Sequence, residues 1–216
     1  DGYASIATNS ILFLGYGDTW QPADNIVMHM PAIAAIYVPL DGINECGLCV
    51  ADLIEIDGEA AHQNTGKTPI TTVAAIRLML DYAANVDEAI ALLQQYDMHS
   101  SMNVAHHFAL CDTTGKYAVV EYVDNQLVVT ESIACTNHRL TCSAHPTDTA
   151  LQPAISNSHQ RLEQLLTAAN SKSLLNSMQD VAFDGWTRWS IVFNPNQKQA
   201  TYYFNADFST PYTIEL

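Results

Sequence analysis

The sequence predicts an α+β domain built from two antiparallel sheets with helices outside them. Three observations carry that expectation. The apolar spacing switches between a period of two and a period near 3.6, in the order strands, helix pair, strands, helix pair, strands. Short β-type runs are separated by Gly, Asp and Asn turn signals. The chain has 216 residues, 48% of them hydrophobic, which is enough for one domain with a sizeable core.

Residues 1–50 carry β-type runs at 3–8, 10–15, 26–30, 35–38 and 47–51, with Asp41-Gly42 as a hairpin turn between the last two. Residues 52–67 read as a polar loop broken by Asp57-Gly58 and Asn64-Thr65-Gly66. A helix over 71–84 puts Ala75, Ile76, Met79, Leu80 and Ala83 on one side. Asn85-Val86-Asp87-Glu88 is a capping box that opens a second helix over 86–95. Strands follow at 104–111, 117–123 and 126–130, with turns at Asp112-Thr113-Thr114-Gly115 and Asp124-Asn125. Residues 141–155 form a Ser/Thr/Pro-rich loop. Helices cover 158–169 and 173–183, and strands at 189–194, 200–205 and 212–216 finish the chain. The order contains no repeat and no interdomain linker.

Charge excludes several functions. Eight Lys and Arg face 23 Asp and Glu, a formal net charge of -15. Nucleic acid and anionic membrane surfaces need clustered cations, so neither is an expected partner. The longest apolar run, 31–40, is too short for a membrane span.

The five cysteines are odd in number and scattered, unlike a secreted disulfide scaffold. The opening Asp-Gly-Tyr looks like neither an initiator nor a signal peptide, so localisation is left open with the cytoplasm slightly favoured. Cys46 and Cys49 form a C-x-x-C pair without a matching second half for zinc, and read as structural. His106 and His107 are adjacent in an alternating strand, so their rings face opposite sides and cannot share a metal. The acidic residues are dispersed rather than paired, which disfavours a two-carboxylate glycosidase. No phosphate loop, H-E-x-x-H or G-x-S-x-G is present, and no metal or organic cofactor is indicated.

Four local patterns stand out. They are Asp41-Gly42-Ile43-Asn44-Glu45-Cys46-Gly47-Leu48; the Asp112 turn leading into 117–122; Cys135-Thr136-Asn137-His138; and Trp186-Thr187-Arg188-Trp189-Ser190 with the strand that follows. In this order and spacing they resemble the choloylglycine hydrolase family of linear-amide C–N hydrolases. Those are N-terminal-nucleophile enzymes, including bile salt hydrolases, penicillin V acylases and related acyltransferases. The resemblance runs from Tyr3 to the C-terminus, and Asn44-Glu45-x-Gly47-Leu48 is its most specific element.

The resemblance implies an αββα sandwich and hydrolysis of a small acyl amide by a mature N-terminal Cys. In such an enzyme the α-amine serves as base, since its pKa of about 7.7–8.0 lets it exchange a proton with a thiol near neutrality. Carried onto this chain, Asn44 and Asn137 match the oxyanion-hole positions. Arg161, in Ser158-His159-Gln160-Arg161, matches the arginine beside the nucleophile. Tyr3, Phe13, Tyr16 and Trp20, with the 52–67 loop, are the expected acyl-pocket lining.

The chain departs from the family at its start. The family's Cys, and the Arg and Asp of the first hairpin, lie upstream of the segment matching Asp1, so the chain is expected to be a domain truncated at its N-terminus. Each site residue also has a plain structural reading: Asn44 as a turn residue, Asn137 as a strand-end cap, Arg161 as a solvated helix residue. The resemblance admits bile salts, penicillin V and N-acyl homoserine lactones as substrates, and a homo-oligomer as the assembly. Acyl transfer to an amine, or acyl-ligand binding without turnover, are the alternatives.

Overall fold

The computed structural model of the chain describes residues 2–9, 32–141, 157–169, 171–182 and 185–216. Its centre is a six-stranded sheet formed by β1 (Ser5–Asn9), β2 (Pro39–Asn44), β3 (Cys49–Glu55), β6 (Ala105–Cys111), β7 (Tyr117–Val123) and β8 (Gln126–Thr130), in that spatial order. All its pairings are antiparallel. A second antiparallel sheet holds β9 (Trp189–Asn194), β10 (Gln199–Phe204) and β11 (Tyr212–Glu215), with β10 in the middle.

One face of the large sheet is covered by α1 (Thr72–Tyr82) and α2 (Val86–Leu93). Val50, Phe108, Leu110 and Val120 on the strands pack against Ile76, Met79 and Leu80 of α1 and Val86 and Leu93 of α2, all essentially without solvent contact. The opposite face meets the small sheet, where Ile43 and Cys49 pack on Ala200 and Tyr202. Thr8 Oγ1 and Tyr202 OH, 3.0 Å apart, also join the sheets. α3 (Ser158–Ala168) and α4 (Leu174–Val181) form a further helical pair.

Asn85 caps α2 as expected, while Glu88 reaches one residue further back than a strict capping box requires. Asn85 Oδ1 accepts from Glu88 N at 3.0 Å, and Glu88 Oε2 reaches back to Ala84 N at 2.8 Å. The first bond satisfies a donor that the helix start otherwise leaves open, and the second fixes the chain just before it.

Several expectations need correction. Residues 35–38 are not a strand: Ala34–Tyr37 is a 3-10 turn leading into β2. The hairpin exists, but Asp41 and Gly42 lie inside β2 and the chain reverses at 45–48. Gly47 makes that reversal at φ +86, and a Cβ there would sit 2.4 Å from Thr113 Cγ2 and 2.6 Å from the Pro195 carbonyl oxygen. The polar loop expected from residue 52 begins later, because β3 runs to Glu55 under cover of its neighbours. A short parallel pair, β4 (Thr68–Thr71) with β5 (Tyr96–His99), frames the two helices and carries no apolar alternation that would have marked it. The runs expected at 10–15 and 26–30 lie outside the described residues.

Candidate active site

Asn137 sits where the chain passes the end of β3. Its Nδ2 donates to the Ile54 carbonyl at 3.1 Å, and its own carbonyl accepts from Ile56 N at 2.9 Å. No strand ends there: the segment is irregular, and these two bonds replace a ladder. Arg161, in the first turns of α3, donates to Asn137 Oδ1 at 2.9 Å and to Asn157 Oδ1 at 2.9 Å. Burial disfavours the guanidinium charge and lowers its pKa, so the contact is made by a partly desolvated cation.

The neighbouring residues fasten α3 to this segment. His138 Nδ1 lies 2.9 Å from Ser158 Oγ, Ser158 Oγ donates to Thr136 Oγ1 at 2.9 Å, and Thr136 Oγ1 donates to the Ser158 carbonyl at 2.9 Å. Burial, followed by the charge of His159, pushes His138 down to about 4, so it is neutral at pH 7 and can donate from Nδ1. Asn137 and Arg161 are therefore held on a rigid support.

Asn137 lines a cavity of about 510 Å³ whose wall is otherwise largely apolar, with Val38, Leu40, Leu53, Ile54, Val73 and Met102. The polar exceptions are Asp41, Asp52, Ser101, His106 and Trp189. Asp52 and His106 form a buried pair, with Nδ1 2.9 Å from Oδ2, while His106 Nε2 lies 3.0 Å from the Ser101 carbonyl. Burial opposes the imidazolium, but Asp52 and the Ser101 carbonyl outweigh it and raise the pKa. Asp41 accepts from Trp189 Nε1 at 3.1 Å, and burial lifts its carboxyl to about 6 against the pull of Thr8 and Trp189. Sequence pattern marks none of these groups as a site. Asp52 falls in an expected loop, Asp41 and Trp189 lie within longer motifs, and His106 reads as an ordinary strand histidine.

Asn44 is not part of this constellation. It is fully buried, and both its amide hydrogens are committed, to the Leu80 carbonyl at 3.1 Å and the Ala83 carbonyl at 2.8 Å. Its Oδ1 accepts from Cys46 N and Leu48 N. It ties the hairpin to the end of α1, where the last carbonyls lack helical partners. It also lies at the opposite end of β3 from Asn137. Leu48 and Ile54 are separated by roughly 20 Å of extended chain, too far for one oxyanion to be shared. Tyr3 sits at the Asn44 end as well. Its N–H donates to the Asp81 carbonyl, and its hydroxyl is pushed up chiefly by neighbouring Cys46. It does not line the Asn137 cavity. Phe13, Tyr16 and Trp20 lie outside the described residues.

A second polar group is buried on the inter-sheet face. Glu55, His107 and Glu121 are 3%, 0% and 0% exposed, and their ligand atoms lie within 4.8 Å of one another. The acids expected to be dispersed are thus paired by strand register, across β3, β6 and β7. Arg139 Nε donates to Glu55 Oε2 at 3.2 Å, and Leu140 N to Glu121 Oε1 at 2.6 Å. Gly58 leaves room for this, since a Cβ there would meet Glu55 Oε2 at 2.2 Å. His107 is raised to about 10: burial works against the charge, while Cys135, Glu121 and Glu55 more than offset it. The donor set could hold a divalent cation, but Arg139 and protonated His107 already balance its two carboxylates. His106 and His107 face opposite sides, as the alternation requires.

Comparison with known proteins agrees with the fold. Residues 36–207 match the family described as acyl-coenzyme A:6-aminopenicillanic acid acyl-transferase. Penicillin V acylase of Pectobacterium atrosepticum is 34% identical over 102 residues, 43% of this chain. That match spans only 27% of the acylase's own length. A mutant of conjugated bile acid hydrolase from Clostridium perfringens superposes with a TM-score of 0.63 at 18% identity, covering 83% of this chain and 73% of that one. Penicillin V acylase from Agrobacterium tumefaciens does so with a TM-score of 0.63 at 20% identity, over 84% and 67%. These likenesses show an N-terminal-nucleophile hydrolase fold, α+β with antiparallel sheets. Together with the family match they place the sequence: the chain belongs to the acyl-coenzyme A:6-aminopenicillanic acid acyl-transferase family.

Proposed function

We propose that this protein cleaves the C–N bond of small linear acyl amides, with Asn137 as oxyanion donor and Arg161 as the residue that positions it. The attacking group is an N-terminal Cys thiolate outside these 216 residues. It adds to the amide carbonyl, and the oxygen takes the charge. Collapse of the tetrahedral adduct expels the amine, protonated by the α-ammonium, and leaves a thioester that water hydrolyses.

The observation that carries the reading is the Arg161–Asn137 contact of 2.9 Å beside a largely apolar cavity. One Asn137 amide hydrogen is committed to Ile54, and the other has no protein partner among the described residues. Arg161 on Oδ1 fixes the amide's orientation and polarises its N–H bonds. The cavity volume suits an acyl group of drug-like size.

The test uses the complete gene product with penicillin V and a conjugated bile salt. Asn137→Ala is expected to lower kcat by about 10²–10³, the effect of removing one oxyanion donor. A loss under threefold retires the assignment. Arg161→Lys should lose less than Arg161→Ala, because a single ammonium can still reach Oδ1. The family description favours one variation, transfer of the acyl group to an amine instead of water. Hydroxylamine trapping of the thioester, with hydroxamate formed at the expense of free acid, separates the two.

A further inference from the structure

Cys49 in β3 and Cys111 in β6 are register partners, directly opposite one another on adjacent antiparallel strands. Their side chains share the inter-sheet face, and both are free thiols. The type of pair follows from the flanking turns. Asn44 N bonds to the Leu48 carbonyl, so the next pair of that hairpin, Ile43 with Cys49, leaves the Cys49 backbone groups turned toward β6. Asp112 N bonds to the Lys116 carbonyl, which likewise turns the Cys111 backbone groups toward β3. The cysteines therefore form a hydrogen-bonded pair, whose α-carbons stand about 5.5 Å apart. That α-carbon separation suits a disulfide, about 5.5–6 Å. The β-carbons of such a pair stand at the wide end of about 4.5–5.5 Å and must draw in to about 3.5–4.5 Å as the bond forms, which makes it a strained, readily reduced one.

Both thiols line a cavity of about 210 Å³ on the inter-sheet face, walled also by Ala51, Ala109, Val119 and Phe193. Cys49 is 3% exposed and Cys111 half-buried, so a small oxidant reaches Cys111 more readily. Interaction with Cys49 lowers the Cys111 thiol below its ordinary range, while the same interaction and burial raise Cys49, whose S–H donates to the Gly47 carbonyl at 3.8 Å. Attacker and resolver are thereby distinguished.

We propose that Cys49 and Cys111 are a redox site, which a peroxide converts into a disulfide between the central strands β3 and β6. The Cys111 thiolate attacks one oxygen of hydrogen peroxide. The O–O bond breaks, hydroxide takes up the thiol's proton and leaves as water, and a sulfenic acid remains. The Cys49 sulfur attacks the Cys111 sulfur, the S–O bond breaks, and a second water departs with the Cys49 proton. Two thiols lose two electrons and two protons, and the peroxide is reduced to two waters.

The test needs no catalytic activity, so it stands or falls apart from the acylase reading. The full chain is treated with hydrogen peroxide, alkylated in denaturant, digested with trypsin and analysed by mass spectrometry without reduction. Alkylated cysteines should fall from five to three. The peptide ending at Lys67 should be joined to the peptide from Leu78 to Lys116, and dithiothreitol should restore all five thiols. Because the first peptide also holds Cys46, Cys46→Ser must keep the cross-link and Cys49→Ser must abolish it, leaving a Cys111 sulfenic acid that dimedone traps. Five alkylated cysteines after peroxide would overturn the proposal. So would a Cys111 sulfinic acid without a cross-link, or a link from the Cys111 peptide to the peptide bearing Cys135.

Discussion

β3, β6 and β7 present two unlike faces. Toward α1 and α2 they offer Val50, Phe108, Leu110, Ala118 and Val120, an apolar layer that ends at the buried Asp52–His106 pair. Toward the second sheet the same strands offer Cys49, Ala51, Glu55, His107, Ala109, Cys111 and Glu121. Consecutive residues of one strand thus serve different ends, because side chains alternate across a pleated sheet. The helix-backed face is stabilised by area removed from water. The inter-sheet face carries its charged cluster and a cavity in mid-sheet, whereas the helix-backed face confines its one ion pair, Asp52 with His106, to the end beside the Asn137 cavity.

The largest effects should come from breaking one residue on each face. Phe108→Ala empties a site that is 1% exposed and is expected to cost about 3–5 kcal/mol, independent of pH. Glu121→Gln removes one carboxylate from beside buried His107 and is expected to cost about 3–5 kcal/mol near neutrality. The pH dependence distinguishes them. His107 has a raised pKa, so its contribution is fully present below about 6.5 and is lost as pH rises through about 10. Wild type and Phe108→Ala should therefore lose stability in parallel between pH 7 and 10, while Glu121→Gln follows a flatter line. Urea unfolding at several pH values measures this. Parallel lines for all three proteins would mean that His107 draws nothing from Glu121.

A finer contrast lies along β3, between its two ends. Asn44→Ala leaves the Leu80 and Ala83 carbonyls and the Cys46 and Leu48 N–H groups without their partner, in a fully buried place. The expected cost is about 2–4 kcal/mol of stability, with kcat per folded molecule unchanged. Asn137→Ala should weight the two the other way, with a smaller stability loss from the Ile54 and Arg161 bonds and a large fall in turnover. Thermal melts and active-site titration on both variants decide the matter. A large kcat loss in folded Asn44→Ala would return Asn44 to the oxyanion role.

The difference between these two asparagines also marks what the sequence could say. Helices, the β6–β7–β8 meander and the final strands were legible because each has its own period and its own turn residues, as Asn85 and Glu88 show for α2. Gly47 was legible as a motif, and its positive φ explains why glycine stands there. The motif nevertheless did not show that the Asn44 amide is spent on Leu80 and Ala83, since residue type does not reveal which carbonyls a side chain will reach. The pairing of Glu55 with Glu121 depends on the registers of β3 with β6 and of β6 with β7, and the first of these spans a long stretch of chain. Local pattern carries no such information. The same holds for Asp52 with His106, diagonal neighbours on adjacent strands.

Asp41 supplies the smallest effect: its pH dependence runs the same way as that of His107, but its substitution is expected to stabilise. Its carboxyl is buried at the cavity and raised from 3.8 to about 6, so the proton it holds favours the folded state. That contribution is complete below the unfolded pKa of about 3.9 and is lost as pH rises through about 6. Above that range the ionised, buried group costs stability, on the order of 1–3 kcal/mol, since each tenfold change in proton affinity is worth about 1.4 kcal/mol. Asp41→Asn keeps an oxygen for Trp189 Nε1 and removes the charge. The variant should match wild type near pH 4 and exceed its stability by about 1–3 kcal/mol at pH 7, as read from urea midpoints. A gain in stability on substitution is what a group retained for chemistry produces, and a core residue does not. A loss at pH 7 instead would make Asp41 a structural anchor for Trp189 and remove it from the polar wall of the cavity as a functional group.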